Sequence, residues 1–148
     1  MSFDTATPYV AAYVVFRKDD KALFLLRENC GWMDGHYSLA AGKVEKDEPY
    51  SLAAVREAKE EVGVDVSPED LKYLMTIHRK SPDNGMEWVD VFFEATKWTG
   101  ELTNAEPHMH SKIEWLDIND LPDNTIPMLK FFFDELKAGK TYAEYGWS

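Results

Sequence analysis

Cysteine is nearly missing. Cys30 stands alone, so no internal disulfide can form, and a single thiol suits the reducing cytoplasm, where the protein is expected. Cationic residues are scarce as well: 16 Lys and Arg face 27 Asp and Glu, a formal net charge of −11 at pH 7. Such a surface repels DNA, RNA and anionic lipid, so neither a nucleic-acid polymer nor a membrane is expected as a partner. Long apolar runs are also lacking. The longest, Tyr9 to Phe16, falls far short of the roughly 20 residues that span a bilayer. No basic residue precedes it, and Arg17-Lys18-Asp19-Asp20 follows it where a cleavage site would need small residues, which argues against a signal peptide. Repeats and low-complexity segments are absent from the sequence.

What is there describes one ordinary globular domain over residues 1–148, with 45% hydrophobic and 29% charged residues. Pro8 to Arg17 and Ala22 to Arg27 read as strands joined by a polar turn. Glu28 to His36 reads as a loop, and Tyr37 to Val44 as a short strand running into a glycine turn at Gly42. Pro49 suits the first turn of a helix over 50–62, and Gly63 its end. Leu71 to Arg79 and Glu87 to Thr96 flank Ser81-Pro82-Asp83-Asn84-Gly85, an Asn-Gly hairpin signal. Thr99 to Met109 is a polar loop, Lys112 to Ile118 a strand and Thr125 to Lys137 an amphipathic helix. This order predicts an α+β fold: a mixed β-sheet flanked by helices.

The helix over 50–62 carries the most information. At about 100° per residue, Leu52, Val55, Ala58 and Val62 form an apolar stripe, with Glu57, Glu60 and Glu61 opposite. A solvated charged face would interleave cations, because like charges three or four residues apart cost a few tenths of a kcal/mol. Here Glu57 and Glu61 have no cation at that spacing, and only Glu60 has one, Arg56. Clustered oxygen donors of one sign suit a hard divalent cation such as Mg²⁺. A cation would also reconcile an acidic protein with an anionic substrate.

Gly42, five residues, Glu48, seven residues, then Arg56-Glu57-Ala58-Lys59-Glu60-Glu61-Val62-Gly63-Val64 resembles the Nudix box of Nudix hydrolases, MutT-like members included, at every defined position. The resemblance implies the Nudix α/β/α sandwich and Mg²⁺, with Mn²⁺ as an alternative. It implies Glu57 and Glu61 as metal ligands, Glu60 as a ligand or ligand-positioning group, and the Ala41 backbone carbonyl as a further ligand. Gly42, Glu48 and Gly63 are structural positions of the box, and Arg56 orients the glutamates, with Glu48 as a partner. Glu106 is the choice for the further catalytic or metal-binding glutamate that family members place in a later loop. Arg27 matches a position that contacts substrate phosphate. Many members carry Pro-Gly before the box glycine where this chain has Ala40-Ala41, which puts the loop's positive-φ geometry in question.

The implied reaction is hydrolysis of a nucleoside diphosphate linked to a moiety X. A nucleoside triphosphate, oxidised ones included, cut to monophosphate and pyrophosphate leads; nucleotide sugars, ADP-ribose or dinucleoside polyphosphates follow. A catalytically silent nucleotide-sensing Nudix-fold module is the alternative of another class. The protein is expected as a monomer or homodimer. Trp88 and Trp115 are chosen to stack a base, ahead of Trp32. Asn124 is a weaker candidate for reading a purine edge. His108 and His110 are read as bystanders in a mobile loop, and Phe131-Phe132-Phe133 as packing for the last helix.

Overall fold

The Val- and Tyr-rich segment after Pro8 forms β1 (Tyr9–Val15); past Phe16 the chain continues as β2 (Arg17–Lys18), turns, and returns as β3 (Lys21–Arg27). These elements come from a computed structural model that describes residues 4–147. β4 (Tyr37–Ser38), β5 (Ala40–Lys43) and α1 (Tyr50–Val62) follow, then a 3-10 turn at Pro68–Asp70, β6 (Leu71–Lys80), β7 (Glu87–Ala95), β8 (His110–Asp117), α2 (Pro127–Lys137) and β9 (Tyr142–Tyr145).

The strands form two sheets where the sequence predicts one. The first has the order β5-β1-β7-β6-β9 and is mixed: β1 runs parallel to β7, and β6 parallel to β9. In the second, β3 pairs antiparallel with β2, β4 and β8. The segment over 37–44 is therefore not one strand. It breaks at Leu39 and serves both sheets, a partition that alternation of side chains does not reveal. β9 escapes sequence reading because four residues are too short for a periodic signal.

Two cores result. Alternate residues of β1 divide between them: Ala12 and Val14 pack toward α1, while Val15 packs toward α2. On the α2 side Phe132 stacks on Phe92 with ring centroids 3.9 Å apart, and Phe133 is fully buried. The aromatic triplet thus packs the helix on the sheet, as its sequence implies. Helices on opposite sides of the strands make the α/β/α sandwich.

The buried face of α1 is not the stripe that the sequence predicts. Its buried residues are Ala53, Ala54, Glu57, Ala58, Glu61 and Val62, whereas Leu52 is 45% exposed. Glu57 and Glu61 lie in the middle of the buried face, and Glu60 lies outside it. Apolar periodicity misleads here because the helix seats itself with alanines. Their small side chains let it lie close on β1 and β5, and the two carboxylates are carried inward with them. Gly63 ends α1 at φ +73°, its N–H donating to the Lys59 carbonyl at 3.1 Å.

Candidate active site

β5 and α1 meet at Gly42. This residue is extended and paired with Ala12 of β1, not turned. A Cβ added to it would overlap the Glu57 carboxylate, so the glycine is required for space and not for φ. Ala40 and Ala41 are ordinary strand residues as well, which settles the geometry in question. The Ala41 N–H donates to Glu61 Oε2 at 2.8 Å. A residue's N–H and C=O leave the same side of a strand, so the Ala41 carbonyl also faces away from β1, on the side of Glu61.

Glu57 and Glu61 are each 7% exposed. Burial raises both carboxyls above the usual range, Glu61 far above it because the Glu57 charge adds to the burial. Arg56 holds the cluster from outside. It donates through Nε and Nη2 to the two Glu48 oxygens (2.8 and 3.0 Å) and through Nη2 to the Lys43 carbonyl (3.1 Å). Nη1 donates to Glu57 Oε1 at 2.7 Å and reaches Glu60 Oε2 at 3.4 Å. Glu60, its side chain 50% exposed, touches the cluster only through Arg56 among the described residues.

The Arg56 fork, helped by the Glu45 N–H, lowers the Glu48 carboxyl to about 2. A carboxyl depressed on folding stabilises fully above its unfolded value, near 4.5, and loses that contribution as the pH falls toward 2. Urea unfolding across this range is expected to show a flatter acid limb for Glu48→Gln. Identical limbs would contradict the pair.

Glu106 and His110 complete the cluster. One ligand atom from each of Glu61, Glu106 and His110 lies within 4.8 Å of the others. The loop is fixed to α1 by the Thr103 and Ala105 N–H groups, which donate to the carbonyls of Val62 and Glu61. The His110 N–H then donates to the Glu106 carbonyl at 3.0 Å. His110 was missed as a site residue. It is 3% exposed, opens β8, and places Nε2 3.7 Å from Glu61 Oε1, while its Nδ1 has no partner among the described residues. Burial, with Arg27 and His108, lowers its imidazole to about 4. At neutral pH it therefore offers a lone pair. The available signal was its position directly after the acidic loop. Two carboxylates and a neutral imidazole around one point, with Glu57 against Glu61 and a strand-edge carbonyl on the same side, fit a divalent cation.

A cavity of about 160 Å³ opens at this cluster, and Ala41 and Glu61 belong to its wall. Arg27, paired with His110 across β3 and β8, stands between cluster and cavity. Its Nε donates to the Trp32 carbonyl (2.8 Å), and the Trp32 ring N–H donates to Asp83 (3.3 Å), tying loop 28–36 to the 81–85 hairpin. Trp32, ranked last by sequence, is the tryptophan that lines the cavity. Trp88 is not in the cavity wall and packs against Tyr9 and Arg79. Trp115 packs toward the α1 core under Lys18. Asn124 donates from Nδ2 to the Gly35 carbonyl at 2.9 Å, shaping the loop instead of reaching the cavity. Alternation told which tryptophans sit on strands, and it could not tell which sheet end stays open.

A family model described as the NUDIX domain matches residues 7–135. The chain belongs to the Nudix family. It is 33% identical over 98 residues to an 8-oxo-dGTP diphosphatase of Proteus vulgaris, covering 66% of this chain and 84% of that one. It is 31% identical over 140 residues to an ADP-ribose pyrophosphatase of Methanocaldococcus jannaschii, covering 93% and 75%. A MutT Nudix hydrolase structure from Burkholderia pseudomallei superposes with a TM-score of 0.77 at 26% identity, covering 86% of this chain and 97% of that one. This Nudix protein is a hydrolase of pyrophosphate bonds. Nudix hydrolases act on small nucleotide substrates and generally use divalent metals. Among the described residues no helix is long and apolar enough to cross a membrane.

Proposed function

We propose that the protein is a single Nudix domain that uses Mg²⁺, with Mn²⁺ as a substitute, to hydrolyse a nucleoside triphosphate to the monophosphate and pyrophosphate. Oxidised nucleotides are included. The observation that carries this reading is the burial of Glu57 and Glu61 side by side on α1, with Glu61 and Ala41 in the wall of a partly aromatic cavity. Glu57, Glu61 and the Ala41 carbonyl hold the cation, with Glu106 and His110 beside them. When bound, the cation neutralises phosphate charge and lowers the pKa of a water. Glu106, grouped with Glu61 and His110, would take that water's proton. Arg56 fixes the Glu57 rotamer, and Glu60 braces Arg56. Arg27 meets the phosphate nearest the cluster, and Trp32 packs on the nucleoside.

The test is phosphate or pyrophosphate release, with Mg²⁺ and with EDTA, from nucleoside triphosphates, 8-oxo-dGTP, ADP-ribose, nucleotide sugars and dinucleoside polyphosphates. Ester-linked monophosphates are unmasked by an added phosphatase. Metal-dependent release from triphosphates alone supports the proposal. Release from ADP-ribose alone moves X to a sugar phosphate, the second reading, which the Methanocaldococcus relative favours. Nucleotide binding without any turnover would make the domain a sensor. Trp32→Ala is expected to raise KM about five- to tenfold with kcat little changed, the effect of losing one aromatic contact. An unchanged KM would remove Trp32 from the site.

A further inference from the structure

The cavity wall holds a second arginine besides Arg27. Arg79 on β6 donates through Nε and Nη2 to the two oxygens of Asp90 on β7, at 2.6 and 3.1 Å. Asp90 is 0% exposed, the Arg79 side chain is 12% exposed, and the guanidinium carbon sits 4.9 Å from the Trp88 ring. Two of the three guanidinium nitrogens are thereby committed. Nη1 has no acceptor among the described residues, yet it is not sealed from solvent, and Arg79 lines the cavity. Tyr145 of β9 faces Arg79 across the β6–β9 register and lines the cavity too. β9 lies beyond residues 7–135, the part matched to the family.

The pair carries no net charge, so it is a poor anchor for a phosphate. It still presents a rigid donor, and a guanidinium cannot accept a hydrogen bond. The wall also carries Tyr13, Tyr145, Met33 and Leu129, with Ser81 and Asp83 as polar members just after β6. A base that carries a carbonyl oxygen can accept from such a donor, and adenine, whose one exocyclic group is an amine, has no carbonyl to offer. We propose that Arg79, held by Asp90, is a specificity-determining residue that donates from Nη1 to a carbonyl oxygen of the substrate's base. It selects guanine, hypoxanthine or uracil over adenine. This rests on the nucleotide-hydrolase reading above and names the base that the reading leaves open.

The experiment compares kcat/KM for GTP, ITP, UTP and ATP in wild type, Arg79→Lys and Arg79→Gln, and measures GMP and AMP affinity by calorimetry. Arg79→Gln leaves Asp90 buried without its cation, so Arg79→Gln/Asp90→Asn is run beside it as the folding control. Wild type is expected to favour the oxygen-bearing bases at least tenfold over ATP. In the folded variants lacking Arg79 the preference falls below threefold, through KM and not kcat. Turnover with no base preference in wild type, or a preference that survives loss of Arg79, overturns the proposal. If no triphosphate is turned over, the hydrolase reading fails, while tighter GMP than AMP binding that depends on Arg79 still supports this one.

Discussion

Glu61→Gln is expected to lower turnover about 10³-fold, equivalent to about 4 kcal/mol of lost transition-state stabilisation, with no loss of thermal stability in the metal-free protein. The two halves have one cause. Glu61 is buried beside Glu57, and its carboxyl is pushed far above the ordinary range. Without a cation, its charged form opposes folding near neutral pH. A neutral amide keeps the volume and still accepts the Ala41 N–H, so the fold gains or breaks even. What it loses is a negative oxygen facing the strand edge. Near-wild-type turnover with a normal melting curve would remove Glu61 from the list of ligands.

Gly42→Ala is expected to cost about 1–3 kcal/mol of stability, the usual penalty of overpacking, and about 10²-fold or more in turnover. The backbone at Gly42 is an ordinary extended one. The whole effect comes from one methyl group overlapping the Glu57 carboxylate. The added Cβ expels Glu57 from the position where Arg56 holds it at 2.7 Å. Adding Glu57→Asp to Gly42→Ala shortens the displaced side chain. Melting temperature should then recover while activity does not. If Gly42→Ala alone behaves as wild type, the close approach of β5 to α1 is not what the site depends on.

Much of this was legible because chemistry, unlike packing, leaves its mark at fixed spacing. Glu57 and Glu61 can be singled out from the lack of a cation three or four residues away, and Arg56 and Glu48 from the box; both pairs meet in space. The helical wheel of α1 fails for a physical reason: burial follows alanine size and carries Glu57 and Glu61 inward, and does not follow hydrophobicity. His110 was lost because the strand was started at Lys112, two residues late, which left the histidine in a loop. The tryptophans failed differently. Trp32 lines the cavity and Trp88 does not, because the cavity is made where β6, β9 and two loops meet, contacts between residues far apart in sequence. Arg79 and Asp90 sit on adjacent strands, and no local pattern joins them.

On the proposed function, the buried pair on α1 holds the cation which the reaction needs. Mn²⁺ titration of wild type and Glu61→Gln, followed by the loss of the free-ion paramagnetic resonance signal, tests it most directly. Saturable binding to wild type that Mg²⁺ displaces, and that Glu61→Gln lacks while remaining folded, is the expected result. Equal binding by the two proteins would place the metal elsewhere and contradict the account.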